Sequence, residues 1–211
     1  MIEAKQLTVR RYRVDLFPTT LTLTAGRHAL LGRKEDGVPA LLACLGGDVR
    51  PKRGHVTVLG GAPSSPSVRA RVGWIPLALE LPDVLRVDEI LALARRIRKN
   101  APVAAASVLA PLGLEPLAGR RGSSLEPAEA RAVALAEALA SPSVSVLLVE
   151  EPFVAMAAPA VAALPALVAP RTNACIVVAT ASAIDAARLA NDFAIFDRGR
   201  LVRIVTEPPL R

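Results

Sequence analysis

The sequence predicts an α/β fold with a mostly parallel central sheet, and three observations carry that prediction. The runs Val144–Val149 and Ala174–Thr180 are continuously apolar and bounded by turn residues, as expected of parallel strands buried on both faces. Segments of helical period separate the strand-like segments along the chain, which is the pattern of βα units. The stretch from Ala29 to Gly47 reads strand, glycine-bounded loop, helix.

Taken in order, residues 2–31 alternate apolar and polar side chains in three short runs, around KQLTVRRYRV, TTLTLTAG and RHALLG. This pattern predicts an N-terminal antiparallel β part with one solvated face. Ala40 to Leu45 reads as a helix stopped by Gly46 and Gly47. Short strands follow at His55–Leu59 and Val72–Ile75, the second closed by Pro76. From Asp83 the period turns helical: Val87, Ile90, Leu91, Ala94 and Ile97 share one face, with Arg95, Arg96, Arg98 and Lys99 opposite. A helix over 103–110, a polar loop over 119–124 and an Ala-rich helix from Pro127 to Ala140 come next. After the strand ending at Val149, the segment 158–168 carries Pro159 and Pro165, which predicts a short or kinked helix. A helix over 184–189, a strand over 193–197 and a turn at Arg198–Gly199 into a last strand over 201–205 complete the chain. One domain, 1–211, is expected, with a small helical subdomain inserted at about 83–125.

Charge narrows the partners less than it suggests. The net charge is +7, which is compatible with an acidic protein, nucleic acid or an anionic surface. The basic side chains are spread, however, and form no run of five like charges, which is the look of solvated arginines. The cysteines, Cys44 and Cys175, lie in apolar patterns and read as core residues. The histidines, His28 and His55, build no metal constellation with them, so no metal site is expected. No segment approaches the ~20 apolar residues of a membrane helix. A cytoplasmic location follows as the expectation.

The loop carries the main functional clue. Gly32 and Gly37 have the G-x-x-x-x-G spacing of a phosphate-binding loop between strand and helix, where backbone amides, a Lys and a Ser/Thr hydroxyl hold phosphates and Mg²⁺. Val38 stands at the Lys position and Pro39 at the Ser/Thr position. Pro39 has neither hydroxyl nor amide proton to offer. Glu35 and Asp36 place carboxylates inside the loop, where a helix N-terminus would favour an outside anion. Arg33 and Lys34 offset part of that charge. The mixed charges also suggest a loop that folds back on itself, with Arg33 or Lys34 pairing to Glu35, Asp36 or Glu150.

Beyond the loop, Gly73-Trp74-Ile75-Pro76-Leu77, Leu125-Glu126-Pro127-Ala128-Glu129 before Arg131-Ala132-Val133-Ala134-Leu135, Leu147-Leu148-Val149-Glu150-Glu151-Pro152 and Asp197-Arg198-Gly199-Arg200-Leu201 follow in order. Over nearly the whole chain this order resembles the ATP-binding subunit of ABC transporters, a P-loop NTPase-like fold. The resemblance implies that Leu77 replaces the Q-loop Gln and that Glu126 replaces the signature Ser. Ala181 falls at the switch His, and Tyr12 at the aromatic that stacks on adenine. Glu150 stands at the Walker B Asp position. Glu151 matches the residue that polarises the attacking water, but without Mg²⁺, Lys or switch His it is vestigial. The reading from the residues alone is that Glu151 hydrogen-bonds loop amides at a strand end.

With so many preorganised donors replaced together, hydrolysis is not expected, and the expected cofactor is none, with ATP and Mg²⁺ held weakly at most. The resemblance implies a degenerate subunit acting by docking to a membrane permease or by dimerisation, as a homodimer or with an active subunit. That action would place it peripherally at the inner face of the cell membrane. The alternatives are a soluble regulator or scaffold on an acidic partner, with nucleic acid the less expected target, and an unorthodox ATPase.

Overall fold

A computed structural model describes residues 1–11 and 14–209. The antiparallel strands β1 (Ile2–Arg11), β2 (Val14–Leu23) and β4 (Arg53–Val58) form one sheet in the order β2-β1-β4. The second sheet has six strands, in the order β5 (Val72–Ile75), β6 (Val146–Glu150), β7 (Cys175–Thr180), β3 (Gly26–Leu31), β8 (Asp192–Asp197), β9 (Arg200–Val205). Its neighbours run parallel except for the closing β8–β9 hairpin. The helices are α1 (Val38–Leu45), α2 (Pro66–Arg69), α3 (Val87–Ile97), α4 (Ala105–Leu109), α5 (Pro127–Ala140), α6 (Ala158–Val168) and α7 (Ala183–Leu189).

Two hydrophobic cores follow from the pleat. Side chains of successive strand residues point to opposite faces, so Ala29, Leu147, Val149, Ile176 and Val178 pack with α3 to α7 on one face. Leu30, Val146, Leu148, Cys175 and Val177 pack with α1 and the antiparallel sheet on the other. That is why the central strands read as unbroken apolar runs.

Two local expectations are corrected. Arg95, placed on the solvated face of α3 by periodicity, is buried, while Ile97 is exposed. Arg95 Nε donates to the carbonyl of Ala101, and its Nη1 lies 3.4 Å from the carbonyl of Ala140. Its long side chain thereby serves a carbonyl of the segment between α3 and α4 and one at the C-terminal end of α5 that has no intrahelical donor. The segment 158–168 is one helix through Pro165 rather than a shortened one. The carbonyl of Val161, the i−4 acceptor that Pro165 cannot serve, accepts instead from Arg188 at 2.9 Å.

Candidate functional site

The parallel strands present their C-terminal ends together, the place where α/β sheets put ligands. A cavity of about 220 Å³ opens there, lined by Gly32 and Lys34 of the loop, Val38 and Pro39 of α1, Pro76 and Leu77 after β5, Glu150 and Glu151 after β6, and Thr180 of β7. Most of the residues singled out in the sequence are thus brought to one place.

The loop has a fixed internal structure. Lys34–Asp36 forms a single 3₁₀ turn, and Gly37 takes a left-handed φ of 78° before α1, a conformation that favours glycine. The amides of Asp36 and Gly37 donate back to the carbonyls of Arg33 and Lys34. Asp36 accepts from the Arg33 amide on one oxygen and from the Arg198 amide on the other, both at 2.8 Å. A carboxylate on backbone amides thus closes the loop and ties it to the β8–β9 turn. Val38 packs against Gly32 so closely that a Cβ there would lie 2.8 Å from Val38 Cγ2.

The carboxylates facing the cavity are also engaged. Glu150 Oε2 accepts from the Leu77 amide at 2.9 Å. Glu151 Oε2 accepts from the Thr180 hydroxyl at 2.7 Å, and its Oε1 from the Ala181 amide at 3.3 Å. Glu151 has a left-handed φ of 45°, a strained conformation for a side-chain-bearing residue. Behind both, Arg131 donates to the carbonyls of Pro76, Val154, Glu150 and Glu151. Burial pulls the Arg131 pKa down, and the charges of Glu150 and Glu151 push it back up.

Sequence reasoning gave no role to Arg131, Thr180 or Arg198, and read Asp36 as a loop carboxylate pairing with Arg33 or Lys34 rather than with the Arg198 amide. Arg131 had a signal in its position four residues into an apolar helix. The others are joined by contacts across the fold. Glu126 lies outside the cavity as the N-cap of α5, its amide donating to Glu129. Tyr12 falls outside the described residues.

The strand–glycine loop–helix layout of a phosphate-binding loop is kept, while its side-chain donors are replaced and the amides of Arg33, Asp36 and Gly37 are used within the loop. Val38, Pro39 and engaged carboxylates line the place where the Lys, hydroxyl and metal shell of such a loop would be. This donor set does not fit a Mg²⁺–triphosphate in that loop's manner.

No protein-family model matches the chain. The biotin transport ATP-binding protein BioM of Rhizobium etli is 31% identical over 146 residues, 66% of this chain and 65% of that protein. The molybdenum import ATP-binding protein ModC of Rhodobacter capsulatus is 33% identical over 137 residues, 62% of this chain and 38% of that protein. The chain therefore matches less than two thirds of the length of either relative. Among solved structures, an ATP-binding subunit of an ABC transporter superposes with a TM-score of 0.86 at 21% identity, covering 98% of this chain and 90% of the other. A dimeric ATP-binding cassette, MJ0796, in a post-hydrolysis state with ADP and Pi gives 0.81 at 18% identity, covering 98% of each.

These relatives correct one expectation. They are ATP-binding proteins by name, and one neighbour holds ADP and Pi, so the expectation that no ATP or Mg²⁺ cofactor belongs to this chain is overturned. Replaced side chains do not by themselves decide the ligand, because backbone amides at a helix N-terminus also hold phosphate. In fold, and in aligned sequence over about two thirds of its length, the chain is a relative of the ATP-binding subunits of ABC transporters.

Proposed function

We propose that the chain serves an ABC transport system as an ATP-binding-type subunit that works by docking and dimerisation and does not turn ATP over. The observation that carries this reading is the composition of the strand-end cavity: Val38 and Pro39 line it, and Glu151, the one residue matching a catalytic position, is held by Thr180 and Ala181. Two of that carboxylate's acceptor sites are thus already taken by its own fold. Leu77, Val84, Leu93, Ile97 and Val103 stand exposed after β5 and along α3. That concentration of apolar surface suits a protein partner, here a membrane permease. Among the described residues no helix is long and apolar enough to cross a membrane, so membrane contact would come through that partner.

Nucleic acid is the weaker reading, because several arginines are spent inside the fold: Arg95, Arg98, Arg131 and Arg171 all donate to backbone carbonyls.

Steady-state ATPase assays with Mg²⁺, alongside an intact ABC subunit, test the proposal. The expected rate is lower by at least about 10³-fold, the scale of losing preorganised donors, and unchanged by Glu151→Gln. Turnover that disappears in Glu151→Gln would refute it. Co-expression with a permease should move the chain to the membrane fraction, and Leu93→Glu with Ile97→Glu should release it.

A further inference from the structure

The N-terminal ends of the parallel strands, opposite the strand-end cavity, carry a second and larger cleft. It has a volume of about 730 Å³ and is walled by Pro66, Ala70, Ile97 and Pro142. Its polar lining is Ser67, Arg71, Arg98, Lys99, Ser143 and Ser145, with no carboxylate among the lining residues. The size lies within the range of small-molecule sites.

The cations here differ in what they already do. Arg98 is spent on structure: it pairs with Glu137 at 3.2 Å and donates to the carbonyls of Ala70 and Val72. Arg71 and Lys99 are exposed and have no carboxylate partner among the described residues. Arg71, whose carbonyl accepts from the Ser145 amide, also donates to the Ser145 hydroxyl at 3.0 Å, and that hydroxyl donates on to the Ser143 carbonyl at 3.4 Å, which fixes the guanidinium at the start of the strands. Lys99 ends α3 with a left-handed φ of 56°, a conformation rare for lysine, and that turn sets it on the cleft rim. The Ser143 hydroxyl is buried and lacks a hydrogen-bond partner. Buried hydroxyls without partners are uncommon in folded proteins; this one lies beneath the cleft wall, closed off from solvent.

We infer that this cleft is a binding site for a phosphate-bearing anion, separate from the strand-end cavity, with Arg71 and Lys99 supplying the charge and Ser67 a neutral donor. Guanidinium, ammonium and hydroxyl donors around a concavity free of carboxylates match the acceptor-only oxygens of a phosphate. The site is independent of the nucleotide reading, because it shares no lining residue with the first cavity.

The test is calorimetric titration of the full chain with sodium pyrophosphate at low salt, in parallel with pelleting on vesicles containing phosphatidic acid. Binding is expected to weaken at least about tenfold in Arg71→Gln/Lys99→Asn, the loss of charge-assisted donors, and to persist in Lys34→Gln. Lys99→Asn alone covers the case in which Arg71→Gln perturbs folding, since asparagine accepts the left-handed backbone. Pyrophosphate binding with this pattern assigns a free phosphate compound. Vesicle binding with the same pattern assigns a lipid headgroup. No binding of either probe up to about 10 mM, roughly tenfold above a 1 mM dissociation constant, overturns the inference, as does binding lost in Lys34→Gln but kept in Arg71→Gln/Lys99→Asn.

Discussion

Arg131 holds the candidate site together at the scale of single residues. Its guanidinium is the donor for four carbonyls on two strand-end segments. Arg131→Met keeps most of the volume and removes every one of those donors. Buried carbonyls left without a partner cost about 1–3 kcal/mol each, although relaxation and water limit the sum. The expected loss is about 3 kcal/mol in denaturant unfolding, with the Glu150–Leu77 contact loosened. The cysteines give a second residue-scale prediction. Burial pushes both the Cys44 and the Cys175 thiols from 9.0 up to about 11. Between those values the unfolded chain ionises while the folded chain stays protonated, so stability is lost as pH rises from 9 toward 11. Unfolding curves at pH 8 and pH 10.5 should show the drop, and Cys44→Ala/Cys175→Ala should shrink it. In the native state both thiols should resist a thiol reagent until the protein is unfolded.

Helix α6 shows at the scale of elements how a rule of sequence is overridden. Pro165 inside it removes one helical hydrogen bond. The orphaned Val161 carbonyl is served by Arg188, whose guanidinium also lies 4.3 Å from the Phe153 ring centroid. Arg188→Ala should cost about 0.5–1.5 kcal/mol, the bond being exposed. In a Pro165→Ala background, where the helix supplies its own donor, the cost should be smaller, and a double-mutant cycle reads the difference. Strand β5 carries a different constraint. A Cβ at Gly73 would meet Ala138 Cβ at 2.7 Å and Leu147 Cδ1 at 2.9 Å, so α5 sits directly on the strand. Gly73→Ala should destabilise by about 1–3 kcal/mol through overpacking, measured by thermal unfolding.

The whole molecule keeps the fold of the ATP-binding subunits it resembles, with a different donor set at its strand ends. If the frame is sound, Val38→Lys with Pro39→Ser should raise ATP affinity at least about tenfold by restoring a charge and a hydroxyl, measured by calorimetry against the unsubstituted chain. An unchanged affinity would place the defect in the loop itself, where Asp36 ties it to Arg198. The restored variant should still hydrolyse poorly, because Glu126, Leu77 and Ala181 remain at positions where the resemblance implies a Ser, a Gln and a His.

Much of this was determined by the sequence alone. The runs VSVLLV and ACIVVAT specify strands buried on both faces, and the loop from Gly32 to Gly37 specifies a strand-to-helix turn, because apolar period and glycine placement act locally. The strand-end position of Glu151 was legible for the same reason. Its partners Thr180 and Ala181, the Asp36 tie to a residue 162 positions away and the burial of Arg95 were decided only by tertiary structure. Periodicity records which face of an element is apolar. Which carbonyls lie opposite that face, and so which polar side chains are drawn inside to meet them, is fixed only when helices and strands distant in sequence pack together. The second cleft, assembled from α2, the end of α3 and the start of β6, exists for that reason alone.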